Sequence, residues 1–177
     1  PASVMESTDL NKLVAEVAEL YEPLVEDEGG KLETDLPEGL KADCNRDLIS
    51  QVLVNLIENA LKYGRPETGD LLIRLGGREE DGRIVLSVTD NGPGIPEKDQ
   101  DRVKERFVRL EESRSEPGTG LGLSLVKAVA RLHGGDLRFM NEDPGLSARI
   151  DLKPVKPDSS RSGHEQGGTA GQTGEGN

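Results

Sequence analysis

Apolar residues recur at helical spacing, three or four residues apart, in three stretches of the chain. The first stretch has Thr8 or Asp9 available as an N-cap and is followed by Gly29-Gly30, which favours the end of a helix. The third is strongly apolar and is preceded by several glycines. The pattern predicts helices over Ser7–Glu26, from Asn45 or Asp47 to about Tyr63, and over Leu121–Leu132.

Shorter stretches alternate between apolar and polar residues, as strands with one buried face do. Two of these stretches are joined by the polar, glycine-containing segment Gly77–Gly82, and we expect them to form a hairpin. The predicted strands are Lys31–Leu36, Asp70–Gly76, Arg83–Asp90, Asp136–Met140 and Ser147–Leu152.

Composition narrows the class of protein. The chain has 177 residues and a net charge of −12, which argues against a general nucleic-acid or anionic-membrane surface, because such surfaces need clustered Lys and Arg. Its single cysteine, Cys44, excludes an internal disulfide and is interpreted as a buried or half-buried free thiol. No stretch approaches the roughly 20 apolar residues that span a membrane. After Pro154 apolar residues are almost absent, so we expect a disordered tail.

The second predicted helix carries an unusual polar stripe. At about 100° per residue, Asn55, Asn59 and Lys62 fall on one side of a helix whose other positions are mostly apolar. The stripe is either a solvated face or a binding surface. In the second interpretation Asn59 offers an oxygen to Mg²⁺, a cation that prefers oxygen ligands, and Lys62 meets a phosphate.

A glycine-containing loop, Asp90-Asn91-Gly92-Pro93-Gly94-Ile95, directly follows an apolar strand. It is either a turn or a place where a ligand approaches the backbone closely, which glycine permits. In the second case the carboxylate of Asp90 can accept a hydrogen bond from the exocyclic amine of a purine.

A second glycine-rich loop, Gly118–Leu123, opens the third predicted helix, where free backbone N–H groups suit anionic phosphates. There is no GxxxxGK[ST] sequence, so the loop is not a Walker-type P-loop. The charged stretch before it, Gln100–Pro117, differs from the strand that precedes a dinucleotide fingerprint. This stretch is either a surface loop or a lid over a ligand, with Phe107 as its apolar anchor and Arg109 and Arg114 within reach of phosphate oxygens.

In this order the four segments resemble the GHKL ATP-binding superfamily, and specifically the catalytic domain of sensor histidine kinases. The asparagine helix is similar to the family's N box, DNGPGI to its first glycine box, RFVRL to its F box and GTGLGL to its second glycine box. The resemblance covers about Asp9 to Leu152. It implies the Bergerat fold, an α/β (α+β) two-layer sandwich in which helices cover one face of a mixed sheet, with an ATP lid.

The resemblance also implies a division of the chain and roles for single residues. Residues 1–8 would be a linker from a dimerisation and phosphoacceptor domain, 9–153 the ATP-binding domain and 154–177 the tail. Asn59 would coordinate Mg²⁺ with Asn55 beside it, Lys62 would contact phosphate with Arg109 and Arg114, and Asp90 would recognise adenine. The other residues implied to bind ATP are Tyr63, Gly92, Gly94, Ile95, Phe107, Gly118, Thr119, Gly120, Leu121, Gly122 and Leu123.

One position separates the branches of this superfamily. In the ATP-hydrolysing branch a glutamate four residues before the metal-binding asparagine activates water, whereas here that position is Asn55. An amide is no general base at neutral pH, so this difference favours a kinase over an ATPase. Neither His133 nor His164 lies in a family-like phosphoacceptor sequence, and we interpret His133 as a structural residue at a helix end.

The resemblance therefore implies a catalytic domain that donates the γ-phosphate of Mg·ATP to a histidine on a separate dimerisation domain of the same parent, for relay to a response regulator receiver domain. The isolated domain is expected to be monomeric and cytoplasmic, either free or on the cytoplasmic side of a parent anchored in the inner membrane. The alternatives are a nucleotide-binding regulatory module and an anti-sigma-type serine kinase of the same superfamily.

Overall fold

The structure, a computed structural model, describes residues 4–95 and 122–156. In this part of the chain seven strands form one mixed sheet, and three helices pack on it. The helices are α1 (Leu10–Asp27), α2 (Arg46–Tyr63) and α3 (Gly122–Leu132). The strands are β1 (Glu6–Asp9), β2 (Gly30–Asp35), β3 (Lys41–Cys44), β4 (Leu71–Glu80), β5 (Arg83–Asp90), β6 (Leu137–Asn141) and β7 (Leu146–Pro154).

The sheet has the strand order β1-β3-β7-β5-β4-β2, and β6 also pairs with β7. Only β2 and β4 pair in parallel among these strands; the other pairs are antiparallel. β7 pairs along one side with β5, and along the other with β6 and then, through Asp43↔Lys153, with β3. This central strand therefore brings the β6–β7 turn next to the end of β5.

One apolar core joins the three helices to one face of the sheet. The two-residue alternation of β4 and β5 places Ile73, Leu75, Leu86 and Val88 in this core. The opposite face carries polar side chains of the same strands, including Arg74, and borders an open cleft. The predicted two-layer α/β sandwich is confirmed. The predicted lid lies outside the described residues.

Local signals account for the helix ends. Asp9 caps α1 by accepting from the N–H of Lys12, and Asn45 caps α2 by accepting from the N–H of Leu48, each at 3.1 Å. After α3 the N–H of Gly135 donates to the carbonyl of Ala130 at 2.9 Å, while Gly134 has a φ of +76°. This is the Schellman arrangement that glycine at that position favours.

The structure differs from the sequence predictions in three places. Residues Glu6–Asp9 form a strand paired with β3, so α1 begins at Leu10 instead of Ser7. β3 itself was not predicted. β4 continues to Glu80, and the hairpin turn is Asp81-Gly82, with positive φ at both residues, instead of Gly77–Gly82.

Two predictions about single residues are confirmed. Cys44 is a free and fully buried thiol, and burial is the main cause that raises its pKa. His133 is buried at the end of α3 and has a structural role: its Nε2 accepts from the N–H of Asn45 at 3.0 Å, and its Nδ1 lies 2.7 Å from the carbonyl oxygen of Val129. None of the helices described here is long and apolar enough to cross a membrane.

Candidate functional site

A cavity of about 230 Å³ lies between α2, the helix-covered face of the sheet and the start of α3. Several of the residues predicted to bind ATP meet in it, although they come from separate parts of the chain. The walls that the described residues form are mostly apolar, with one carboxylate and one carboxamide among them. The lining residues are Leu56, Asn59, Ala60, Tyr63, Val88, Asp90, Gly94, Ile95, Leu123, Phe139, Leu146 and Ala148.

Asp90 is held in a fixed orientation at the end of β5. Its Oδ1 accepts from two backbone N–H groups, that of Gly92 at 2.9 Å and that of Leu146 at 3.2 Å. Its Oδ2 accepts no hydrogen bond from any residue in the described ranges. Burial raises the pKa of Asp90, and the bonds from Gly92 and Leu146 lower it by less. A poorly solvated carboxylate with one unused oxygen is suited to accept from a ligand donor.

Three glycines allow the close packing around Asp90: Gly92 of the same loop, and Gly64 and Gly145 from distant segments. A β-carbon on Gly64 would lie 2.6 Å from Oδ2 of Asp90, and one on Gly145 would lie 1.8 Å from its backbone oxygen. A β-carbon on Gly92 would lie 2.6 Å from the backbone of Gly64. The first glycine box therefore packs against the end of α2 on one side and the β6–β7 turn on the other.

Asn59 lies on the cavity wall formed by α2, one turn before Tyr63. Its side-chain amide has no hydrogen-bond partner among residues 4–95 and 122–156, so it is available to a ligand. Lys62 is exposed and does not line the cavity. Its predicted phosphate contact stays a prediction.

Asn55 is placed differently from Asn59. It is only 2% exposed, its Oδ1 accepts from Nε2 of Gln51 at 3.0 Å, and its Nδ2 donates to the carbonyl of Gly122 at 3.4 Å. Gly122 opens α3 with a φ of +66°. The amide of Asn55 thus connects α2 to the end of the second glycine box, and Asn55 is not among the residues that line the cavity.

Glu58 is the carboxylate nearest in sequence to Asn59, and its charge acts on a residue of the neighbouring helix α1. Burial, and then the negative charge of Glu58, raise the pKa of Tyr21 on that helix. Glu58 does not line the cavity. The structure therefore places no glutamate of α2 on the cavity wall.

The remaining predicted site residues lie outside the described ranges, and their roles stay predictions. They are Phe107, Arg109, Arg114, Gly118, Thr119, Gly120 and Leu121.

Several residues of the site were missed from the sequence. Phe139 and Leu146 line the cavity from β6 and β7. Asn141 holds the first glycine box: its Oδ1 accepts from the N–H of Ile95 at 2.9 Å, and its Nδ2 donates to the carbonyl of Ile95. Gly64 directly follows α2, where glycine is typical of a helix end, and nothing around Gly64 or Gly145 in the sequence signals their contacts with Asp90.

Comparison with known proteins identifies the family. Residues 44–169 match the family model described as histidine kinase-, DNA gyrase B-, and HSP90-like ATPase. The sensor-like histidine kinase SenX3 of Mycolicibacterium smegmatis is 34% identical over 157 residues, covering 87% of this chain and 40% of that protein. The adaptive-response sensory kinase SasA of Crocosphaera subtropica is 39% identical over 139 residues, covering 77% and 35%. The chain thus spans less than half the length of these relatives.

Solved structures agree with this assignment. The catalytic domain of the histidine kinase ThkA superposes with a TM-score of 0.69 at 26% identity, covering 84% of this chain and 95% of that one. Full-length ShkA in complex with AMPPNP gives a TM-score of 0.68 at 27% identity, covering 84% of this chain and 30% of that one. The chain therefore belongs to the family of histidine kinase-, DNA gyrase B- and HSP90-like ATPases, and within it to the ATP-binding catalytic domains of sensor histidine kinases.

Proposed function

We propose that this chain binds Mg·ATP in the cavity between α2 and the sheet and donates the γ-phosphoryl group to a histidine on a separate dimerisation domain. A response regulator would then receive the phosphoryl group from that histidine. The observation that carries the proposal is the orientation of Asp90, whose Oδ1 is occupied by two backbone donors while Oδ2 is left for a ligand. The exocyclic amine of adenine is a donor of the required kind.

The apolar walls fit a purine ring. Ile95, Leu123, Phe139 and Leu146 border the space beside Asp90 and would exclude water from the base. A 6-oxo purine such as guanine would present an acceptor to Oδ2 and leave that oxygen unpaired. We expect the site to prefer ATP over GTP for this reason.

Asn59 fits a magnesium ion that is bound mainly by phosphate. The part of the chain that the structure describes has no group of three or more His, Cys, Asp or Glu side chains that could hold a metal ion by itself. Mg²⁺ usually takes one or two protein oxygens, and water and phosphate oxygens supply the rest. The amide oxygen of Asn59 would be such a ligand. When bound, the ion would neutralise part of the triphosphate charge.

For the transfer itself, the protein mainly has to position ATP and the acceptor histidine, and few of its side chains have to react. A ring nitrogen of the acceptor histidine forms the bond to the γ-phosphorus as the bond to the β,γ-bridging oxygen breaks, and ADP leaves. The proton of the acceptor imidazole passes to solvent or to a base of the dimerisation domain. The amide of Asn55 stands where the ATP-hydrolysing relatives carry their glutamate, and it is engaged with Gln51 and Gly122. No base is therefore present at that position to activate water, which favours transfer over hydrolysis.

Titration of the 177-residue chain with Mg·ADP and Mg·AMPPNP by calorimetry tests the proposal. We expect binding by the parent chain and loss of binding, by at least about tenfold in Kd, for Asp90→Asn and Asn59→Asp. Glu67→Gln, a change outside the cavity, is the control and should bind as the parent does. Parent-like binding by both site variants would refute the site assignment. Sustained phosphate release from ATP by the chain alone would refute the kinase interpretation.

A further inference from the structure

Within residues 4–95 and 122–156, three asparagine amides each accept from one backbone N–H and donate to one backbone carbonyl of a distant segment. The amide of Asn11 accepts from the N–H of Leu40 and donates to the carbonyl of Pro37, each at 2.9 Å. Asn91 accepts from the N–H of Leu72 at 2.7 Å and donates to the carbonyl of Asp70 at 2.9 Å. Asn141 makes the third pair, with the N–H and carbonyl of Ile95. In each case one side-chain amide satisfies an N–H and a carbonyl group of another part of the backbone.

The first glycine box is held at both ends by two of these amides. Asn91, inside the box, fixes its beginning to the start of β4, and Asn141, at the end of β6, fixes its end at Ile95. Between them Gly94 has a φ of +70°, and a β-carbon there would lie 2.9 Å from Oδ1 of Asn141. The last turn of the box therefore lies directly against the Asn141 amide.

Asn141 does not line the cavity, and it can affect the cavity only through Ile95, to which it is hydrogen-bonded. Ile95 and Gly94 line the cavity, whereas Asn141 is exposed and does not. The segment that follows Asn141 reaches the same box a second time, where the N–H of Leu146 donates to Asp90. The β6–β7 turn thus contacts the box at the carboxylate expected to recognise the base and at the side chain that walls it.

We propose that Asn141 is a positioning residue of the nucleotide site: its amide holds the backbone of Ile95 so that the Ile95 side chain forms one wall of the base pocket. This inference rests on the proposed function. Without the amide, both polar groups of Ile95 turn to water, and the wall has to be ordered again each time a nucleotide binds. That ordering cost lowers affinity without any lost contact between Asn141 and the ligand.

The test compares Asn141→Ala with Asn11→Ala, its matched control. Both changes remove a bidentate amide pair at an incompletely buried position, but the Asn11 pair joins α1 to the segment before β3 and does not border the cavity. We expect the Kd for Mg·ADP, measured by calorimetry well below the unfolding temperature, to rise roughly tenfold for Asn141→Ala and to stay within about twofold of the parent for Asn11→Ala. The amide of Ile95 should also exchange with deuterium about tenfold faster in Asn141→Ala alone.

Each other outcome overturns the inference in a distinguishable way. If Asn141→Ala binds Mg·ADP as the parent does, the Asn141 amide does not position the pocket. If both variants lose affinity equally, Asn141 contributes only to general stability. If the parent chain does not bind Mg·ADP, the proposed function fails and the positioning role fails with it.

Discussion

The backbone of Gly145 lies so close to Asp90 that a β-carbon on Gly145 would be 1.8 Å from the carbonyl oxygen of Asp90. The two residues come from the β6–β7 turn and the end of β5, which are adjacent because β5 and β7 pair directly, in register through Thr89↔Ser147. The position also has a φ of +109°, a conformation that residues with a side chain rarely adopt. Glycine is therefore required at 145 for two separate reasons.

Replacement of Gly145 by alanine should separate these two reasons. Gly69 has a φ of +88°, and a β-carbon added to it would meet no atom within 4 Å, so Gly69→Ala carries the conformational cost alone, roughly 1–2 kcal/mol. Gly145→Ala adds the clash with Asp90, and we expect it to cost at least about 2 kcal/mol more. Urea unfolding of both variants measures the difference. Equal losses of stability would show that the turn moves away from Asp90 easily.

The charge of Asp90 is expected to destabilise the free domain. Because burial raises the pKa of this carboxyl above its ordinary 3.8, the folded state holds its proton more tightly than the unfolded state does. The stabilisation that comes from this tighter proton binding is complete below pH 3.8, and it is lost as the pH rises through the raised pKa of Asp90. Asp90→Asn keeps an oxygen for the Gly92 and Leu146 donors and does not titrate. The variant should therefore be more stable than the parent at about pH 7.5, although it binds nucleotide poorly.

Urea unfolding at about pH 4.5, 5.5 and 7.5 tests this expectation. The stability gained by Asp90→Asn should grow with pH, whereas Glu67→Gln controls for the loss of one negative charge and should show no comparable growth. A variant less stable than the parent at every pH would mean that the carboxylate is favoured by its two backbone donors more than it is penalised by burial.

The two asparagines of α2 should respond differently to the same substitution. Asn55→Asp places a carboxylate, at a position 2% exposed in the parent, against the carbonyl oxygen of Gly122 and should cost about 1–3 kcal/mol of stability. Asn59→Asp adds its charge in a half-buried position without a partner to lose, and should change stability by less than about 1 kcal/mol while altering Mg·ADP binding. Thermal unfolding and calorimetry on both variants test this. Equal destabilisation would contradict the different environments of the two amides.

His133 should prove structural and costly to remove. Its side chain is 3% exposed and is the acceptor for the N–H of Asn45, the residue that caps α2. His133→Ala leaves this N–H without its acceptor and opens a cavity, so we expect a loss of about 2–4 kcal/mol. Leu132→Ala, at a neighbouring position that is 52% exposed, should change the free energy of unfolding by less than about 0.5 kcal/mol. Similar values for the two in urea unfolding would contradict this assignment.

The long elements of the fold could be predicted from the sequence because their signals are local. α2 has apolar residues along one whole face, begins after Asn45 as its N-cap and ends at Gly64. β1 and β3, in contrast, are segments of only four residues, ESTD and KADC, that become strands only by pairing with each other and with β7. No local pattern carries that information.

Two glycines near the β4–β5 hairpin lie deeper in a strand than the sequence predicts. The sequence predicts that Gly76 ends its strand and that Gly77 begins the turn segment, but both lie within β4. A β-carbon on Gly76 would lie 2.6 Å from the Oγ of Ser87, and one on Gly77 would lie 2.8 Å from Leu40. The glycines serve close packing there, and the sequence alone does not separate this use from a turn.

The residues of the candidate site also divide into those that the local sequence reveals and those that only the fold reveals. Asn59, Asp90 and Gly94 could be predicted because the glycine box and the asparagine helix are recognisable within short segments. Asn141 and Gly145 act through contacts with residues about 50 positions earlier in the chain, so only the tertiary structure reveals them.

The cavity draws its lining from residues as far apart in the chain as Leu56 and Ala148, so an unfolded chain has no such site. With a nucleotide bound as proposed, mass action makes the ligand part of the folding equilibrium: a roughly hundredfold excess over Kd adds about 2.7 kcal/mol to the stability of the native state. The melting temperature of this domain would then follow the concentration of adenine nucleotide around it, and nucleotide depletion would reduce the amount of native protein as well as its phosphoryl donor.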